Sequence, residues 1–151
     1  MFRGGSEISM DGKGRIAMSA RYRDELMARC SGRIIITIDI HDRCLLIYPE
    51  PEWEAVERQI AAMPTFNADT RRLQRLLIGH ARELGLDNTG RVLIPSELRA
   101  YAGLVKELML VGQGHRLELW DLKTWEAKRE EWLSEAAAAT AMPSEMQQLS
   151  L

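Results

Sequence analysis

The strongest constraint in this chain is a repeated five-residue motif. Asp11-Gly12-Lys13-Gly14-Arg15 returns as Asp87-Asn88-Thr89-Gly90-Arg91, and both copies read Asp-x-x-Gly-Arg. Each copy runs into an apolar stretch, Ile16-Ala17-Met18 in the first and Val92-Leu93-Ile94 in the second. A helix start follows each (Ser19-Ala20-Arg21 and Pro95-Ser96-Glu97), and a second arginine falls at the same offset, Arg23 and Arg99. One short motif says little. Two copies with matching flanks are an internal repeat, and a repeat dictates how the rest is read.

The first half reads in order as strand, turn, strand, short helix, hairpin, helix. Glu7–Met10 alternates polar and apolar residues, as a half-buried strand does. Asp11–Gly14 is a tight turn, with glycine free to take positive φ and Asp able to accept from downstream amides. Arg15–Met18 is expected to return against the first strand, and Ser19 to cap a helix through Met27 with Tyr22 and Leu26 on its inner face. Ile34–Ile40 is β-branched almost throughout, which predicts a strand buried on both faces, and Arg43–Tyr48 is its hairpin partner. Pro51 opens a helix with Trp53, Val56 and Ile60 in one stripe.

A linking helix, capped by Thr65 or Asn67, runs to about His80 with Leu73, Leu76, Leu77 and Ala81 inward. The pattern then repeats through Glu83–Leu86, Arg91–Ile94, a short helix ending at Gly103, the hairpin strands Glu107–Val111 and Arg116–Trp120, and a helix carrying Leu122, Trp125 and Trp132. The offset is 76 at Asp11/Asp87 and 72 at Trp53/Trp125, so the second copy lacks four residues, expected between short helix and hairpin. The resulting division is 1–63, first half; 64–82, linking helix; 83–133, second half; 134–151, a mobile tail. Neither half buries both sides of its hairpin alone. The two are therefore expected to interlock into one small barrel-like sheet with helices outside, an α+β fold.

Charge points to a partner. The net charge is −2, which by itself argues against nucleic acid. Residues 1–33, however, carry seven basic and four acidic groups, and residues 121–151 carry three basic and six acidic. Such asymmetry allows a local basic face on a slightly acidic protein. Arg3, Lys13, Arg15, Arg21 and Arg23 are expected to share one neighbourhood around the first turn. Arginine suits bidentate contact with phosphate or guanine, and a two-stranded ribbon fits the major groove. The less basic second copy makes Arg91 a lesser contributor. The motif also has a purely structural reading, in which Asp11 closes the turn and pairs with Arg15.

No catalytic constellation stands out. His41, His80 and His115 lie apart without metal-ligand spacing, no nucleophile elbow is present, and Gly112-Gln113-Gly114 lacks the Lys-Ser/Thr of a phosphate loop. No enzyme activity, metal, cofactor or small-molecule substrate is expected. Cys30 and Cys44 read as reduced, partly buried thiols. Residues 1–6 lack the apolar stretch of a signal peptide, and no apolar run is long enough for a membrane span. A cytoplasmic protein is expected.

Together, Met1-Phe2-Arg3-Gly4, the two Asp-x-x-Gly-Arg motifs, Leu77-Ile78-Gly79-His80-Ala81, Leu110-Val111-Gly112 and Glu118-Leu119-Trp120-Asp121 resemble the MraZ family. The resemblance extends to Leu149-Ser150-Leu151. It implies an AbrB-like swapped-hairpin fold with two half-modules fused in one chain. It also implies a nucleoid-associated transcriptional regulator that forms a ring-shaped homo-oligomer and binds short direct repeats in double-stranded DNA. Such proteins mainly repress their own division and cell-wall operon. The signature carries onto Asp11/Arg15 and Asp87/Arg91. The candidate DNA-binding residues are thus Arg3, Lys13, Arg15 and Arg91, and the turn-shaping residues Asp11, Gly14, Asp87 and Gly90. A ring set against tandem repeats raises avidity by roughly 10²–10⁴ over one ribbon. Exposed apolar residues on the last helix, such as Trp132, are expected to pack against a neighbouring subunit. The competing reading is a homo-oligomeric interaction protein whose repeat is architectural and which binds no DNA specifically.

Overall fold

A computed structural model describes residues 1–139 and 142–151 of the chain. The first half comprises β1 (Gly5–Ser9), β2 (Arg15–Ala17), α1 (Ala20–Cys30), β3 (Arg33–Ile38), β4 (Leu45–Pro49) and α2 (Glu50–Ala61). After α3 (Ala68–Leu77) the second half repeats the order as β5 (Arg82–Gly85), β6 (Arg91–Leu93), α4 (Ser96–Ala102), β7 (Glu107–Gly112), β8 (Leu117–Asp121) and α5 (Leu122–Ala138), and α6 (Ser144–Gln147) follows. Part of the expected mobile tail, residues 140–141, lies outside the described residues.

The halves interlock by exchanging strands. Six strands form an antiparallel sheet in the order β1-β7-β8-β4-β3-β5, and β2 pairs with β6 in a separate two-stranded ribbon. Thus β1 of the first half lies on the hairpin of the second (Gly5 opposite Val111, Ser9 opposite Glu107), and β5 lies on the hairpin of the first (Arg33 opposite Gly85). The hairpins meet through β4 and β8, with Leu46 opposite Glu118. The architecture is the α+β, two-copy swapped-hairpin arrangement expected. The six-stranded sheet does not close on itself. Instead, the Asp11 and Asp87 turns carry the chain from its edge strands β1 and β5 into the separate ribbon.

This corrects the local reading of β2 as the return strand of a hairpin with β1. Among the described residues those two segments form no ladder beyond the isolated Met10–Ile16 bridge at the turn, and β2 then leaves to pair with its own counterpart. Period-2 alternation sets the face each residue presents but not the partner strand. Ile16 and Val92 face inward and are buried, so the ribbon packs on the shared core with Tyr22, Leu26, Ile94, Leu98, Leu108 and Leu119. Burying β3 and β4 on both faces explains their density of Ile and Leu.

Other boundaries also shift. α1 runs past Met27 to Cys30, and its left-handed cap falls on Ser31 at φ 56°. The matching cap of α4 is Gly103 at φ 61°. Since 103 − 31 = 72 and 95 − 19 = 76, the four missing residues come out of the short helix itself, about one turn. They are not lost between helix and hairpin. Ser19 stands at the N-cap position, but its hydroxyl makes no capping bond and is buried without a partner among the described residues. Asn67 does cap α3, accepting from Asp69 N at 2.8 Å. Leu76 and Leu77 are half-buried as expected, while the one fully buried residue of α3 is Thr70.

Trp132 does not face outward. It makes edge-to-face contacts with Trp120 (5.6 Å) and Trp125 (5.8 Å), and Trp120 and Trp125 are 5.7 Å apart. The three rings form a satellite core with Cys44 and Val111, holding α5 on the sheet. Among the described residues, no helix is long and apolar enough to cross a membrane.

Candidate nucleic-acid interface

Each Asp-x-x-Gly-Arg motif builds the same turn. Asp11 Oδ1 accepts from the amides of Lys13 and Arg15, both at 2.9 Å, and Oδ2 accepts from Arg15 Nε at 3.0 Å. The backbone closes with Asp11 N to Arg15 O (2.9 Å) and Gly14 N to Asp11 O (3.0 Å). Asp87 repeats the pattern: Oδ1 accepts from Thr89 N and Arg91 N, both at 2.9 Å. Gly14 at φ 93° and Gly90 at φ 80° hold left-handed positions that a side chain would strain. Donation from the Arg15 amide, with help from its guanidinium and Lys13 N, holds the Asp11 carboxyl down at about 2. Asp87 is lowered for the same reason, led by the Arg91 amide and the Thr89 hydroxyl.

The copies differ in what happens to the arginine. Arg15 is ion-paired with Asp11. In the second copy the Thr89 hydroxyl bonds Asp87 Oδ1 at 2.7 Å, and Arg91 has no ion pair among the described residues. The copies thus differ in the freedom of the guanidinium: Asp11 Oδ2 holds Arg15, while among the described residues no carboxylate holds Arg91.

Ribbon pairing then brings the two arginines together. Arg15 is opposite Leu93 and Arg91 opposite Ala17, so these four alternate with the buried Ile16 and Val92 and share the exposed face. Arg15 and Arg91 line one shallow concavity of about 360 Å³ with Lys106, which the sequence pattern did not single out. Lys106 arrives because its carbonyl accepts from Met10 N at 2.8 Å, a pairing 96 residues apart. No local signal encodes that contact.

The other predicted cations separate. Lys13 sits at the tip of the first turn, exposed and without an ion pair among the described residues. Arg3 lies beyond the opposite end of β1, eight residues and roughly 25 Å of extended chain before Asp11. There its carbonyl accepts from Tyr22 Oη (2.7 Å), and Arg21 stacks on the Tyr22 ring at 4.7 Å. Arg23 lies against the second turn, not the first: a Cβ placed on Gly90 would fall 2.5 Å from Arg23 Cδ. The expected cluster of Arg3, Arg21 and Arg23 around the first turn is thus not formed. The single elements are right, but α1 sends residues 21 and 23 to different neighbours.

A family model matches the chain twice, over residues 1–76 and 77–146, and describes the antitoxin-like "MraZ protein". The chain belongs to the MraZ family. It is 52% identical to the transcriptional regulator MraZ of Halorhodospira halophila over 152 aligned residues, the full length of both. The MraZ proteins of Pseudomonas aeruginosa (51%) and Coxiella burnetii (49%) match over their full lengths too. Membership brings with it the coarse role these relatives are named for, transcriptional regulation, which is not an enzyme class. The two family matches divide at residue 76/77, within α3.

Proposed function

We propose that the chain is a sequence-specific DNA-binding regulator that reads DNA with the outer face of the β2–β6 ribbon and the two turns at its ends. The observation that carries this reading is the convergence of Arg15 and Arg91 on one exposed ribbon face, with Lys106 beside them. A two-stranded ribbon fits the major groove. The guanidinium plane matches guanine O6/N7 or a phosphate, and the lysines add sequence-independent attraction. Arg91, unpaired, meets DNA without first giving up an internal partner. Arg15 retains its terminal nitrogens while Nε holds the turn. On this geometry Arg91 is at least an equal contributor, and Arg3 contacts DNA only where the duplex extends past the ribbon along β1.

One ribbon with a few cations binds weakly and with strong salt dependence. We infer that the chain works as a ring-shaped homo-oligomer on short direct repeats upstream of its own division and cell-wall operon, mainly repressing it from the cytoplasm at the nucleoid. The test is footprinting and fluorescence anisotropy on that upstream DNA against a shuffled sequence. Arg15→Ala and Arg91→Ala should each weaken binding at least tenfold while the assembly remains intact by light scattering. Equal affinity of the native protein for promoter and shuffled DNA would leave only the architectural reading of the repeat.

A further inference from the structure

The two turns are each braced by an arginine from the other half. Gly14 O accepts from Ile94 N at 3.0 Å, and Gly90 O accepts from Met18 N at 2.9 Å. Behind each contact a short helix begins, and one of its arginines, Arg99 in α4 or Arg23 in α1, presses on that glycine. At Gly14 the guanidinium itself lies there: an added Cβ would fall 2.5 Å from Arg99 Cζ and 2.6 Å from Nη1. At Gly90 only the aliphatic stem does so, and the Arg23 guanidinium passes beyond to Asp24, 3.5 Å away.

Arg99 has no such counter-charge. Among the described residues it makes no ion pair, and its Nε is buried with no acceptor. The acid two residues before it, Glu97, is committed to Arg82 at 3.0 Å. The side chain as a whole is only half-buried, so the guanidinium has an open edge. A cation pressed on a turn with its own acids engaged elsewhere leaves a donor edge available for an outside anion. Planar, bidentate guanidinium contact favours a phosphate oxygen.

We propose that Arg99 is a DNA-contacting residue, giving a phosphate contact beside the first turn although it belongs to the second half. This rests on the ribbon reading above and extends it: the first turn's DNA surface is composite, with Lys13 and Gly14 from one copy and Arg99 from the other. Arg23, its counterpart, is held by Asp24 and contributes less.

The experiment measures the salt dependence of promoter binding by the full-length protein for Arg99→Gln, Arg99→Lys, Arg23→Gln and Arg15→Ala. Thermal melts confirm that each is folded. One lost phosphate contact should lower the slope of log K against log salt by about 0.9 for each chain engaged, and affinity about fivefold at 0.15 M salt. Arg99→Gln should show this loss, Arg99→Lys should keep the native slope, and Arg23→Gln should change less than Arg99→Gln. An unchanged slope in Arg99→Gln overturns the proposal if Arg15→Ala weakens specific binding. Equal loss of affinity in Arg99→Gln and Arg99→Lys at native slope also overturns it, since that is the mark of a residue that only shapes the turn. If Arg15→Ala has no effect, the ribbon reading itself fails, and Arg99 with it.

Discussion

Replacing Gly14 with alanine tests the turn and the contact between halves at once. A side-chain-bearing residue in the left-handed region costs about 1–2 kcal/mol, and Gly14 sits at φ 93°. The new methyl also meets Arg99, with Cζ at 2.5 Å and Nε at 2.7 Å, well inside van der Waals contact. Arg99 must swing away, giving up its packing on the turn. Together these effects should cost roughly 1–3 kcal/mol. For a chain of this size about 2–4 °C of melting temperature goes with each kcal/mol, so Tm should fall by roughly 2–12 °C. Gly12 is the control. It lies two residues away in the same turn, without positive φ and with open space around its α carbon. Gly12→Ala should therefore be neutral, or stabilising by up to about 1 kcal/mol through the unfolded chain. Scanning calorimetry or urea melts decide this. In an Arg99→Ala background, Gly14→Ala should cost only the backbone part. Equal losses at Gly12 and Gly14 would refute the conformational argument. Additivity of Gly14→Ala and Arg99→Ala within about 0.5 kcal/mol would refute the steric one.

Other expectations follow from the same geometry. Trp132→Ala removes one of three mutually packed indoles and should cost about 2–3 kcal/mol with loss of near-UV circular dichroism, independent of protein concentration. A midpoint that shifts only at low concentration would instead put Trp132 between subunits. Asp11, held at about 2 against the ordinary 3.8, contributes stability that is present above 3.8 and is lost as pH falls toward 2. Carboxyl NMR should show that low midpoint, with Asp87 shifted the same way, and a titration at 3.8 or above would contradict the amide-donation account. Burial, reinforced by Glu118 and Asp39, pushes the Cys44 thiol far up, so in the folded protein it should resist iodoacetamide at pH 8 and react on unfolding.

The Asp-x-x-Gly-Arg turns were legible because everything that shapes them is local. Asp11 reaches amides two and four residues on, and positive φ at Gly14 needs no distant partner. The buried hairpins were legible for a similar reason, since β-branched density reports burial wherever the partner comes from. Even the four-residue deficit of the second copy was countable, although its place inside the short helix was not. The reading failed where a residue's destination depends on the far half. Helical periodicity identifies the stripe that carries Trp132 but not the Trp120 it packs on. Sequence proximity points Arg23 to the first turn, whereas it lies against the second.

The sequence by itself therefore determined two copies of a strand-turn-strand unit, the shape of each turn, and which residue types stand at its tip. Only the tertiary structure decided that β2 leaves β1 to pair with β6, which puts Arg15 and Arg91 on one face and draws in Lys106. The physical reason is that alternation fixes a strand's inner and outer face, whereas strand choice is settled by burial. Neither half can cover its own hairpin, so each lends its first strand to the other, and the ribbon that results is shared between them.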